Sequence, residues 1–261
     1  MVIFFMKILI TGAAGGFAYL TALTLAERGH FVYLTCHTQK EVKYVKEKVK
    51  DYKNINVFKV DITNKEDRLK VLNLDIDCLW NNAAVGQGGS LLEADIDKVK
   101  DNFEVNVFST LRLTQIVLQK MVNENKGRII ITSSMARYTA TPFISFYAAT
   151  KASESLIIKA LQRELFLIGS NVKVVLVEPG LYCTGFNHLV LDSKYDNGKY
   201  FKSIKKPIHT IENLAFKLLE KKNFDSIVVQ VVRAVEDKNP KKVYRAPFFQ
   251  TKLIKLYSIF D

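Results

Sequence analysis

The stretch Lys7–Ala18, KILITGAAGGFA, decides the fold. Its first half is a short apolar run that reads as a buried strand from Lys7 to Thr11. Its second half is a turn made of glycine and alanine. A helical pattern follows from Phe17 to Arg28 and stops at Gly29, a residue able to take the positive φ that ends helices. Glycines in such a turn let backbone amides approach a pyrophosphate, and the helix N-terminus adds positive potential. Any tight strand-to-helix connection uses glycine, so this turn gains its weight from standing at the head of a β-α series.

The series continues outward. FVYLT precedes a Lys-rich helix with Val42, Val45 and Val49 on one side. INVFKV precedes a short helix near Glu66–Leu72, and DCLWN leads to a long amphipathic stretch from Phe103 to Val122. RIIIT is followed by a helix around Tyr147 that runs to Leu167, and then by VKVVLVEP. The strands are short, rich in Val and Ile, and apolar on both faces, as strands of a parallel sheet covered by helices must be. Repeated β-α units predict an α/β, doubly wound, Rossmann-like sheet in a single domain over residues 1–261. The pattern loosens after Gly180, and residues 181–210 are expected to form a substrate loop or lid. DSIVVQVVRAVEDKNP is predicted to be a helix capped by Asp225 or Ser226 and closed by Pro240. Residues 247–261 are left as a C-terminal tail.

Composition narrows the function. Three cysteines, Cys36, Cys78 and Cys183, without a CxxC spacing suit a reducing compartment and point away from disulfides or a thiolate metal site. The opening MVIFFMKILITG is broken by Lys7 and lacks a cleavage site, so a cytoplasmic protein is expected, with Met6 a candidate natural start. No run is long and apolar enough to span a bilayer. From Val190 onward 15 Lys and Arg face 8 Asp and Glu, which places 7 of the 12 net positive charges in the last quarter. No nucleic-acid motif accompanies that surplus. His30, His188 and His209 have no ligand spacing, so no metal is expected.

SFYAATKAS, from Ser145 to Ser153, sets Tyr147 and Lys151 one helical turn apart on one face. Ser134, in ITSSMA, precedes Tyr147 by 13 residues. NNAA (Asn81–Ala84), VNVFS with Asn106, and PGLYCT with Pro179, Gly180 and Thr184 occur in that order along the chain. Together with TGAAGGFA these motifs resemble the one-domain branch of the short-chain dehydrogenase/reductase family, from Lys7 to about Ala246. Ala18 and Ala84 stand where the family usually has glycine.

The resemblance implies a nicotinamide-dependent interconversion of a carbonyl and a secondary alcohol. Tyr147 would donate the proton, Ser134 would hold the substrate oxygen, Lys151 would bond the nicotinamide ribose, and Asn106 would hold a water linking Lys151 to solvent. Cofactor contacts are implied at Gly12, Ala14, Gly15, Gly16, Phe17, His37, Asp61, Ile62, Asn82, Ala83, Pro179, Gly180 and Thr184, besides Tyr147 and Lys151. The chemistry fits these residue types. Free tyrosine titrates near a pH of about 10, and an ammonium one turn away is expected to lower that value.

Three finer expectations follow. About 20 residues past the Gly-rich turn, where an acid would read the ribose hydroxyls, stands Cys36. CHTQK instead offers His37, Lys40 and the hydroxyls of Thr35 or Thr38, so NADP(H) is preferred over NAD(H). Excess apolar residues on two helices, including Leu111, Leu113, Ile116, Leu156, Ile157 and Leu161, predict a homodimer or homotetramer. Met135, Tyr138, Phe143, Phe146, Tyr182 and Phe186 suggest a hydrophobic substrate. A cofactor-sensing scaffold would be expected to lose Ser134, Tyr147 or Lys151, and all three are present. A membrane-surface protein rests only on the basic tail QTKLIKLYSIF.

Overall fold

Val-, Ile- and Leu-rich runs of four to seven residues build a sheet of seven parallel strands in a computed structural model that describes residues 5–192 and 199–260. They are β1 (Lys7–Ile10), β2 (Phe31–Cys36), β3 (Ile55–Lys59), β4 (Cys78–Asn81), β5 (Arg128–Thr132), β6 (Lys173–Pro179) and β7 (Val243–Ala246). Their order across the sheet is β3-β2-β1-β4-β5-β6-β7. The direction of winding reverses between β1 and β4, which pair Ile8 with Cys78 and Ile10 with Trp80. A crevice opens at such a switch point, beyond the carboxyl ends of the strands.

Side chains alternate across the pleat and feed two cores. Ile8, Ile10, Val32, Leu34 and Trp80 pack under α1 (Gly16–Glu27), α2 (Gln39–Lys48) and α9 (Asp225–Glu236). Leu9, Leu79, Ile129, Ile131 and Leu176 pack under α5 (Thr110–Asn123) and α6 (Ser145–Leu167). The start of α2 is set locally. Thr38 accepts from the Glu41 amide, Glu41 accepts from the Thr38 amide, and the two close a capping box.

Several expectations shift. The long helix begins earlier than Phe103, as α4 (Ile96–Phe103) capped by Asp95, and continues through a π-helical turn (Glu104–Ser109) into α5. The short third helix runs Lys65–Lys70 and ends in a 3-10 turn, Val71–Asn73. Helix α9 lies where expected, but neither Asp225 nor Ser226 caps it. The Asn223 side chain accepts from the Asp225 amide at 2.6 Å, and Ser226 bonds Tyr182 Oη at 2.8 Å. The expected lid contains α7 (Phe186–Asp192) and the start of α8 (Lys205–Leu219), with part of it outside the described residues. The tail is a helix, α10 (Phe248–Phe260). Among the described residues no helix is long and apolar enough to cross a membrane.

Candidate active site

The glycine turn after β1 and the Asn82 loop after β4 are sewn together at the switch point. Thr11 Oγ accepts from the amides of Asn82 and Ala83, each at 3.0 Å, and Asn82 Nδ2 donates back to the carbonyls of Thr11 and Gly12. Two glycines are obligatory here. Gly12 has φ +64°, and a Cβ on it would lie 2.6 Å from Ala83 Cα; Gly16 has φ +62° and faces the Thr184 methyl. Gly15, at the N-terminus of α1, borders open space. The resulting cavity, about 750 Å³, is lined by Ala14, Gly15, Gly16 and Phe17 on one wall and by Pro179, Gly180 and Thr184 on the other. Phe17 stacks on Trp80, with ring centroids 6.2 Å apart.

His37, Asp61 and Ile62 line one end of this cavity. His37 Nε2 stands 3.3 Å from Asp61 Oδ2. Asp61 is held below the ordinary carboxylate range: burial opposes its ionisation, but Thr63 donates twice to it and His37 and Lys59 add positive charge. The hydroxyls expected to meet a phosphate are committed elsewhere. Thr35 is buried and donates to Ile10 O, and Thr38 caps α2. Lys40 is exposed and does not line the cavity, whereas Glu41 does.

Ser134, Tyr147 and Lys151 line the other end, with Asn82 and Ala83 between. Ser134 accepts from the Ala136 amide at 3.1 Å, which fixes its lone pairs and leaves its O–H free to donate. Lys151 Nζ donates to Thr132 O at 2.9 Å and to Glu154 Oε2 at 2.8 Å. Here the simple expectation for Tyr147 fails. Burial raises its phenol above the ordinary value and Glu154 adds to the rise, while Lys151 and Ser134 pull the other way without prevailing. Helix α6 carries these groups close to β5 because Ser133 Oγ reaches both Lys151 O, at 3.1 Å, and Ser155 Oγ, at 2.7 Å.

Asn106 does not line this cavity. Fully buried in the π-helical turn, its side chain accepts from Val85 N and donates to Val85 O, Asn102 Oδ1 and Thr150 Oγ1. That use of every polar atom ties the loop after β4 to α6. The aromatic candidates also divide. Tyr182 and Phe186 line the cavity, and the Phe186 ring lies 5.4 Å from that of Tyr147. Met135 is core, and Tyr138 Oη donates to Glu178.

Three contributors escaped the sequence reading. Glu154 follows Lys151 by one turn and is as buried as the lysine. Glu178, in β6, accepts from Arg137 Nε at 2.9 Å and Arg245 Nε at 2.7 Å, which fastens the turn behind Ser134 to β6 and β7. Gln250 of α10 accepts from the Leu181 amide at 2.7 Å and lies against Gly180, where a Cβ would have to displace its amide. An acid inside the apolar run VKVVLVEP was a legible signal; the glutamine was not.

A family model described as short chain dehydrogenase matches residues 6–194. The chain belongs to this family. It is 32% identical over 213 residues to the 3-ketodihydrosphingosine reductase of Bacteroides thetaiotaomicron, covering 78% of this chain and 75% of that one. It is 29% identical over 181 residues to the NADPH-dependent 3-dehydrocapnine reductase of Ornithobacterium rhinotracheale, covering 66% and 63%. A short chain dehydrogenase/reductase of Burkholderia phymatum, solved in complex with NAD, shares the fold with TM-score 0.83 at 19% identity over 98% of this chain and 94% of that one. This short-chain dehydrogenase is thus an oxidoreductase of C=O and CH–OH groups that uses a nicotinamide nucleotide. Its residues fit that cofactor, since the amide-lined turn at Gly15 opens into a cavity long enough to join Asp61 to Tyr147.

Proposed function

We propose that the enzyme reduces a hydrophobic ketone with NADP(H), with Ser134, Tyr147 and Lys151 as its catalytic residues. The observation that carries this reading is the meeting of these three side chains in one cavity with the glycine turn of α1. When bound, a nicotinamide nucleotide would supply a hydride to the carbonyl carbon. Ser134 O–H and Tyr147 O–H hold the carbonyl oxygen, and the Tyr147 proton passes to it as charge develops. Lys151 orients the ribose side of the site.

The substrate side supports an apolar molecule, because the Phe186 ring lies against that of Tyr147 and Tyr182 also lines the cavity. The two named relatives are reductases of a 3-keto and a 3-dehydro compound. NADP(H) is favoured because no carboxylate ends β2 and the exposed His37 stands there instead. A second copy of the chain would cover Leu156, Ile157, Phe166 and Leu167, which are exposed on α6, whereas Leu113 and Leu161 belong to the core. We place this dimer in the cytoplasm, consistent with three free thiols.

The test is oxidation of NADPH and NADH by the enzyme with a panel of ketones, 3-ketodihydrosphingosine included. NADPH should give the higher kcat/KM, and His37→Asp should reverse the order. Tyr147→Phe should lower turnover by roughly a thousandfold or more while nucleotide still binds. A variant that keeps a substantial rate ends the assignment. Light scattering should give at least twice the chain mass, a homodimer or a homotetramer, and a monomer mass would end this part of the reading.

A further inference from the structure

Helix α6 buries an ion pair where packing alone asks for an apolar residue. Glu154 lies on the stripe shared with Ala148, Ser155 and Ile158, all turned to the interior. Its Oε2 is 2.8 Å from Lys151 Nζ, and each side chain is only 2% exposed. Among the described residues Lys151 is the donor to this carboxylate, and the second acceptor of the ammonium is Thr132 O. Burying a carboxylate is costly unless it is paired, so its presence beside the catalytic lysine calls for a reason.

Proton control at Tyr147 supplies one. An ammonium alone would stabilise tyrosinate, which serves alcohol oxidation. An ammonium whose charge is opposed at 2.8 Å does so far less. We propose that Glu154 is a positioning residue that clamps Lys151 against Thr132 O and opposes its charge, so that Tyr147 rests as the neutral phenol that ketone reduction needs. The inference rests on the reading of Tyr147 as proton donor.

Among the described residues no other charge acts on Tyr147. Facing Tyr147 are Lys151 and Glu154 from its own helix, Ser134 from the turn after β5, and the apolar ring of Phe186 from α7. Around the pair itself, β5 presents only Thr132 and Ser133, and the π-helical turn presents Asn106 to Thr150. The directions of ionisation agree. Burial would discharge Lys151, but Glu154 and Tyr147 more than restore its charge. Burial likewise pushes the Glu154 carboxyl up, restrained by Lys151.

The experiment compares wild type with Glu154→Gln, which keeps shape and removes charge, and with Glu154→Asp, which keeps charge. The readouts are the pH profile of kcat for ketone reduction and the 13Cζ-tyrosine NMR titration of the protein with oxidised nucleotide bound, with Tyr147 assigned through Tyr147→Phe. Glu154→Gln should move the Tyr147 midpoint and the basic limb of the rate profile down by about one pH unit. Glu154→Asp should return most of that shift. If the amide variant is unstable, Glu154→Leu carries the same test with the same sign. An unmoved or raised midpoint overturns the inference. A lowered midpoint with an unmoved rate profile upholds the action of Glu154 on Tyr147 and overturns instead the role of Tyr147 as donor.

Discussion

The two ends of the cavity are built differently. At the nucleotide end, hydrogen bonds tie adjoining segments together: the Thr11 hydroxyl accepts from the Asn82 and Ala83 amides, and Ala13 N donates to Thr35 O at 3.0 Å. At the substrate end, α7 lies over Tyr147 through ring contact, with Phe186 and Val190 pressed so close to Gly86 that any side chain there would collide. Hydrogen-bonded turns tolerate almost no displacement, whereas apolar contacts are non-directional and re-form after a small shift. The nucleotide end should therefore fail abruptly on substitution and the substrate end by degrees.

The sharpest way to break this contrast is Gly12→Ala. The added Cβ meets backbone at Ala83 and demands a positive φ. Nucleotide binding should weaken by roughly a hundredfold, about 3 kcal/mol, and calorimetric titration measures it. Binding within a factor of two of wild type would show that the turn yields as easily as the apolar contacts around Phe186. Phe186→Ala tests the other end. The ketone KM should rise about tenfold, the range expected for removing one half-buried ring, while the nucleotide Kd stays put. A nucleotide Kd that rises in step would make the two ends one unit.

Asp67 sharpens the comparison further, because it supports the nucleotide end from behind. It is buried, takes 2.6 Å and 2.5 Å bonds from Lys59 and Lys70, and accepts from the Asp61 amide at 3.0 Å. Burial alone would raise its carboxyl, but these donors hold it far below the ordinary range. A depressed carboxyl contributes stability above its unfolded value of about 4 that is lost as pH falls towards the folded value. Asp67→Asn should cost about 1–2 kcal/mol at neutral pH, part of the lysine contribution being screened by solvent. Its deficit in thermal unfolding should shrink below pH 4; a pH-independent deficit would mean that charge is not the cause.

The smallest effect expected is chemical. Burial pushes the Cys36 thiol up to about 11 and Cys78 up to about 12, while Cys183 is exposed. Iodoacetamide at neutral pH should label Cys183 alone, read by peptide mass. Labelling of Cys36, which borders the nucleotide cavity, would show that this end opens more readily than its hydrogen bonds suggest.

The sequence by itself determined what short spacings can encode. Strand-turn-helix periodicity predicted the doubly wound sheet, and the 4-residue interval set Tyr147 and Lys151 on one face, because neighbours along a helix are neighbours in space; Ser134 came to that site only through the family resemblance. Helix α9 was readable from its punctuation even though neither Asp225 nor Ser226 caps it. Only the tertiary structure decided the rest. Glu154 looks like any polar helix residue until α6 is laid on β5 and its carboxylate is buried with Lys151. Gln250 reaches Leu181 across 69 residues, and Phe186 reaches Tyr147 across a loop without periodicity. The Tyr147 phenol is the clearest case. A lysine one turn away predicts a lowered value, yet burial, which no local spacing reports, outweighs it.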